Sequence, residues 1–168
     1  MLTKRLLTAL MIVVIVATII GLAGLFRAQM VDHQASTLRA EHEVSAIRSL
    51  RAIGAAQARY RQRCTGYASL GELIRAGELP SVRLTGDTTT TADGYTITVE
   101  TTGAVIPATG RPPNCIGTRT DFFSHADPIT PGRTGTRYYA SDSRQTIFHN
   151  SAPMTYPPPG RSPQRPGS

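Results

Sequence analysis

No proline occurs before Pro80, no charged residue interrupts the run from Leu6 to Phe26, and no acidic residue precedes Asp32. The first absence leaves nothing to break a helix over the first sixty-odd residues. The second permits burial of the run, and the third leaves Lys4 and Arg5 as unopposed positive charge at the N-terminus. Only two cysteines are present, Cys64 and Cys115. That excludes a cysteine-rich zinc site, which needs four ligands in short clusters. The pair is open to two readings, a disulfide closing a long loop or two unrelated thiols. P-loop, HExxH, CxxC and GxSxG patterns are all missing, which removes the usual phosphate-binding, metalloprotease, redox and hydrolase signatures. Nine residues separate His33 from His42, which puts them on opposite sides of a helix and unable to share a metal. His125 and Asp127, two apart on a strand, read as exposed polar decoration. No catalytic, cofactor-binding or metal-ligating residue is expected.

What is present at the N-terminus is apolar. The run over residues 6–26 is about the length that crosses a hydrocarbon core of about 30 Å at about 1.5 Å per residue. It predicts a retained transmembrane helix, with residues 1–5 cytoplasmic by the positive-inside bias and everything after Arg27 outside. A cleaved secretory signal, with Gly21, Ala23 and Ala28 near the cut, is the competing reading; signal apolar regions are usually only about 7 to 15 residues. Ala17 with Gly21, and Gly24 with Ala28, are small residues four apart, the spacing that lets helices approach closely in lipid. Small residues are also simply common in such spans.

Residues 27–63 continue the helix, with a single glycine, Gly54, and abundant Ala, Arg, Gln and Glu. At about 100° per residue, Ala46, Ile47, Leu50, Ile53, Gln57 and Tyr60 share one side, and Arg48, Arg51, Arg59 and Arg63 fall on the other. The first side predicts packing under a domain. The second is either a contact stripe for an acidic partner or nucleic acid, or an ordinary solvated face. A formal net charge of +7 keeps anionic partners attractive.

Cys64, Thr65 and Gly66 break the helix. Ser69 and Glu72 then form a capping box ahead of Leu70, Leu73 and Ile74, with Gly77 placed to end a short second helix. Beyond Pro80 the pattern turns to strands: Tyr95, Ile97 and Val99 alternating with polar residues after a turn at Asp93 and Gly94, then Phe122 and Phe123, then 136–140, then 146–149. Gly103, Gly110 and Gly117 read as turn punctuation. Residues 64–154 are thus expected to fold as an α+β domain. Residues 155–168, rich in Pro, Gly, Ser and Arg, are expected to be a disordered tail.

Several stretches carry a family resemblance: SAIRSLRAIGAAQARY over 45–60, GYASLGELIRAGEL over 66–79, GYTITVE from Gly94, and ADPITPGRTGTRYYASDSRQTI from Ala126. In this order they resemble the type IV pilins and the pseudopilins of type II secretion. The resemblance implies a long N-terminal helix, transmembrane and then amphipathic, packed on a small four-stranded antiparallel sheet. It also implies a non-enzymatic structural subunit of a pilus or secretion apparatus, a single-pass inner-membrane protein whose domain lies outside the cytoplasm, in the periplasm or at the cell surface. Its partners would be the membrane, like subunits and other components of that apparatus. The prepilin leader pattern, a glycine before the apolar run and a glutamate five residues into it, is absent, so the sequence gives no support for processing by a prepilin peptidase. The alternative is a membrane-anchored or secreted binding module whose basic surface captures DNA, an anionic glycan or an acidic protein.

Overall fold

Helix α1 runs unbroken from Leu2 to Cys64, 63 residues, as the lack of proline allows. The computed structural model describes residues 2–155 apart from 87, 108, 111, 114, 116 and 117; within α1 its described side chains are those of 11, 17–22, 27, 30 and 33 onward. The chain divides into two units, Met1–Leu38 and Arg39–Ser168. The first is helical wherever it is described, and its apolar side chains Met11, Ile19, Ile20, Leu22, Met30 and Leu38 are exposed.

Among the described residues, no helix is long and apolar enough to cross a membrane. This overturns the transmembrane span over 6–26, the transmembrane part of the expected fold class and the single-pass inner-membrane placement. Most side chains of that run lie outside the described residues. The expected tail, from 156 on, also lies outside the described residues.

The second unit is built on the C-terminal part of α1. Ala46, Leu50, Ile53, Gln57, Tyr60 and Cys64 are all buried and recur every three or four residues, one stripe of a 3.6-residue period. The helix stops where Thr65 adopts φ 62°. Helix α2 (Leu70–Arg75) follows, opened by the expected capping box. Its end is closed by Gly77 at φ 76°, with the Glu78 and Gly77 amides donating back to the Leu73 and Ile74 carbonyls. Leu70 and Leu73 point into the core.

Among the described residues the sheet has five strands rather than the expected four: β1 (Thr89–Ala92), β2 (Tyr95–Val105), β3 (Arg119–Pro128), β4 (Tyr138–Asp142) and β5 (Ile147–Asn150). All pair antiparallel in chain order. The added strand is β1. Asp93 and Gly94 both take positive φ, 40° and 81°, the requirement of a two-residue hairpin turn, and they join β1 to β2. Gly103 does not punctuate a turn; at φ 79° it lies in the irregularity between Thr102 and Val105, where β2 shifts register against β3.

One face of the sheet, carrying Tyr95, Ile97, Val99, Phe122, Ala126 and Tyr139, closes on α1 and α2 in a single core. On the opposite face a smaller cluster of Phe123, Ala140 and Phe148 is covered by Met154. The aromatic pair Tyr67 and Phe122, with ring centroids 5.0 Å apart, ties the α1–α2 connection to β3.

Candidate functional site

The side of α1 turned away from the core carries the four arginines read as a stripe, and the fold separates them into two kinds. Glu78, just after α2, holds Arg59 through its Oε2 at 2.7 Å and Arg63 through its Oε1. Arg59 also donates to the Glu78 carbonyl at 3.0 Å. Both arginines are about half-exposed, so each pair contributes little, about 1 kcal/mol or less; the effect is to fix the loop after α2 against the helix. Arg48 and Arg51 are exposed and have no ion-pair partner among the described residues. Exposed around them are Glu41, Val44, Ala52 and Ala55.

One turn before the core begins, α1 is clamped to the loop between β3 and β4. Glu43 Oε1 accepts from the Thr136 amide and hydroxyl, both at 3.0 Å, and Oε2 accepts from the Tyr139 hydroxyl at 3.0 Å. Partial burial by itself would raise the Glu43 pKa. The Thr136 amide, the Tyr139 and Thr136 hydroxyls and the Arg137 charge together outweigh it and hold the carboxyl below its ordinary value. Burial, followed by the hydrogen bond to Glu43, pushes the Tyr139 phenol up to about 12. Nearby, Arg39 donates to the Gly132 carbonyl at 3.3 Å, His42 Nδ1 to the Thr134 carbonyl at 3.1 Å, and Ser45 to Asp93 at 2.6 Å. None of this clamp was legible in the sequence, because the partners lie 48 to 96 residues apart in the chain.

At the other end, Cys64 and Cys115 form a disulfide, with Cα atoms 5.2 Å apart. It fastens the last residue of α1 to the β2–β3 loop. Beside it is a cleft of about 470 Å³ whose lining includes Arg63, Glu72, Arg75, Pro112 and Pro113. The carboxylate of Glu72 is already spent on the Ser69 amide, 2.8 Å away.

On the outer face of β3, His125 Nδ1 and Asp127 Oδ2 are 2.9 Å apart, closer coupling than the reading as decoration gave them. The His125 ring also stacks on Phe123 at 5.8 Å. Among the described residues no serine, threonine or cysteine hydrogen-bonds to this imidazole. Among the described residues, likewise, no group of three or more His, Cys, Asp or Glu side chains is placed to hold a metal ion.

Of the small residues four apart, Ala17 is exposed, and a Cβ on Gly21 would meet nothing within 4 Å. The side chains of Gly24 and Ala28 lie outside the described residues. Compared with known proteins, the chain matches no family model, no curated protein and no solved structure.

Proposed function

We propose that this chain is a non-enzymatic, pilin-like structural subunit whose α1 helix packs against the helices of like subunits in a pilus or secretion-type assembly. The observation that carries the reading is the division of α1. The part in the second unit buries a regular stripe under the sheet, whereas in Met1–Leu38 the described side chains Met11, Ile19, Ile20, Leu22 and Met30 are 57–68% exposed. A single helix exposing that much apolar surface is marginal in water, and association with like helices removes the surface from solvent. The order of elements, one long helix and then an antiparallel sheet, supports the same reading.

The test is the state of association of the full chain. Gly21→Cys introduces the one free thiol of the molecule at an open position of α1. Disulfide-linked dimers and larger species are expected on mild oxidation at micromolar concentration. A chain that sediments as a monomer throughout and does not cross-link would sink the reading.

The second reading is a binding module that captures an anionic partner, nucleic acid among them, and it is favoured by the freedom of Arg48 and Arg51. It is weakened by Glu78, which occupies two of the four arginines. Salt-sensitive capture of nucleic acid by a monomeric chain, lost on Arg48→Ala with Arg51→Ala, would establish it.

A further inference from the structure

The cleft beside the Cys64–Cys115 bond encloses about 470 Å³. Sites that hold small molecules run from about 300 to 1,000 Å³, so the space suits a compact ligand of one or two rings rather than a segment of folded protein. Much of its lining is apolar. Pro112 and Pro113 have no amide hydrogen to donate, and the side chains of Ala76, Cys64 and Cys115 add only carbon and sulfur. The polar side chains of the lining are Arg63, Glu72 and Arg75. Two of them are committed, Glu72 to the Ser69 amide and Arg63 to Glu78. Arg75 is anchored through Nε, which donates to the Gly71 carbonyl at 3.3 Å, and it has no ion-pair partner among the described residues. Among the described charges of the cleft and its ion pairs, Arg59, Arg63 and Arg75 stand against Glu72 and Glu78, which leaves a single positive charge in excess.

We infer that this cleft binds a small organic carboxylate, its ring system seated against Pro112, Pro113 and the disulfide and its carboxylate on the terminal nitrogens of Arg75. A guanidinium held by its Nε offers those two nitrogens side by side, a match for the two oxygens of a carboxylate. One excess positive charge selects a monoanion, since the second charge of a phosphate would be left facing Glu72 unmatched. The apolar wall selects for the ring, because an inorganic anion gains nothing by covering it. That wall belongs to the β2–β3 loop, and the covalent bond that fastens it to the end of α1 is the disulfide. The site is therefore conditional on oxidation: breaking the bond frees the wall to part from Arg75. Every lining residue named lies in the second unit, so the inference is independent of whether α1 packs against like helices.

The experiment titrates the full chain with 2-naphthoate, and with neutral 2-naphthamide as its uncharged counterpart, by calorimetry. Saturable binding of one naphthoate per chain is expected, with naphthamide weaker by about tenfold or more, the effect of losing a charge-assisted contact. Arg75→Gln should bring naphthoate down to the level of naphthamide, whereas Arg133→Gln, on the β3–β4 loop, should leave it unchanged. Ala76→Leu fills space on the α2 side and should weaken naphthoate with the disulfide intact. Dithiothreitol passes two electrons and two protons to the Cys64–Cys115 bond, which becomes two thiols while the reagent closes to a cyclic disulfide. Naphthoate binding should then be lost with the far-ultraviolet spectrum of the fold retained. Bound naphthoate should also raise the urea midpoint of the oxidised chain, and not that of Arg75→Gln. Equal binding of the acid and the amide would mean that the probe merely partitions onto exposed apolar surface such as that of α1, and overturns the site. Full-strength binding by Arg75→Gln or Ala76→Leu overturns its location, and full-strength binding after reduction overturns the dependence on the disulfide-held wall. A native chain that binds no naphthoate overturns the whole inference and leaves the packing reading, tested by cross-linking of Gly21→Cys, untouched.

Discussion

The side-chain amide of Gln57 pairs with the backbone of Ala68 through both of its polar atoms: Nε2 donates to the Ala68 carbonyl at 2.6 Å, and Oε1 accepts from the Ala68 amide at 3.0 Å. Both residues are fully buried. The pair therefore does for the α1–α2 connection what a strand partner would do, satisfying two main-chain groups that have no access to water. Gln57→Leu keeps the apolar volume and removes both bonds. It should destabilise the chain by about 3 kcal/mol, since each orphaned buried group costs about 1–3 kcal/mol. Urea unfolding of the two proteins measures it; a loss below about 1 kcal/mol would mean that water reaches Ala68.

Gln57 also marks where sequence reading succeeds and where it stops. The heptad-like spacing of Ala46, Leu50, Ile53 and Tyr60 identified the packing side of α1 and put Gln57 on it, because helical periodicity is a local property. Its partner was not legible, since a buried amide gives no signal for what it meets. Likewise the capping box at Ser69 and Glu72 was readable within four residues. Strand β1 was missed because TTTA has no apolar alternation; its pairing with β2 is set by the Asp93–Gly94 turn and by β-branched threonines rather than by a hydrophobic pattern. The membrane span rested on composition over 6–26, and composition does not carry through to the described helix. The outer side of α1 was half legible: the arginine stripe was seen, while the capture of two of its members by Glu78 depends on how the loop after α2 folds back.

Gly135 has no room for a side chain. A Cβ there would lie 2.0 Å from the Tyr95 hydroxyl oxygen and 2.6 Å from the ring carbon bearing it. The Tyr95 ring is fully buried, and its hydroxyl donates to the Arg137 carbonyl at 2.8 Å, so it cannot swing aside without giving up that bond. Gly135→Ala should cost about 1–3 kcal/mol, the usual penalty of overpacking. In a Tyr95→Phe background the hydroxyl clash disappears while the ring-carbon contact remains, so the same change should cost less there. Equal losses in the two backgrounds would place the strain elsewhere.

Reduction of the Cys64–Cys115 bond releases a 51-residue separation that the disulfide closes. Loop-closure entropy at that length amounts to about 4 kcal/mol, added back to the unfolded state. Because the bond ties the end of α1 to the β2–β3 loop rather than to the strands themselves, the sheet should persist at low denaturant after reduction. The expected result is a lower urea midpoint in dithiothreitol with the far-ultraviolet spectrum of the folded protein retained. Complete unfolding on reduction in the absence of urea would show that the bond is a condition of folding.

Glu43 supplies the pH dependence. Its folded carboxyl titrates below the ordinary value of 4.5, because the hydrogen bonds from Thr136 and Tyr139 favour the charged form. A carboxyl lowered in this way binds protons more weakly when folded than when unfolded. Its stabilisation is therefore fully present above the unfolded value and is lost as pH falls from about 4.5 through the lower folded one. Glu43→Gln keeps an acceptor for Thr136 and removes the titration. The native chain should be the more stable at pH 6, and its advantage over Glu43→Gln should shrink steadily on acidification below pH 4.5. An advantage that does not change between pH 6 and pH 3 would mean that the clamp works through neutral hydrogen bonds and that the charge on Glu43 contributes nothing to holding α1 on the β3–β4 loop.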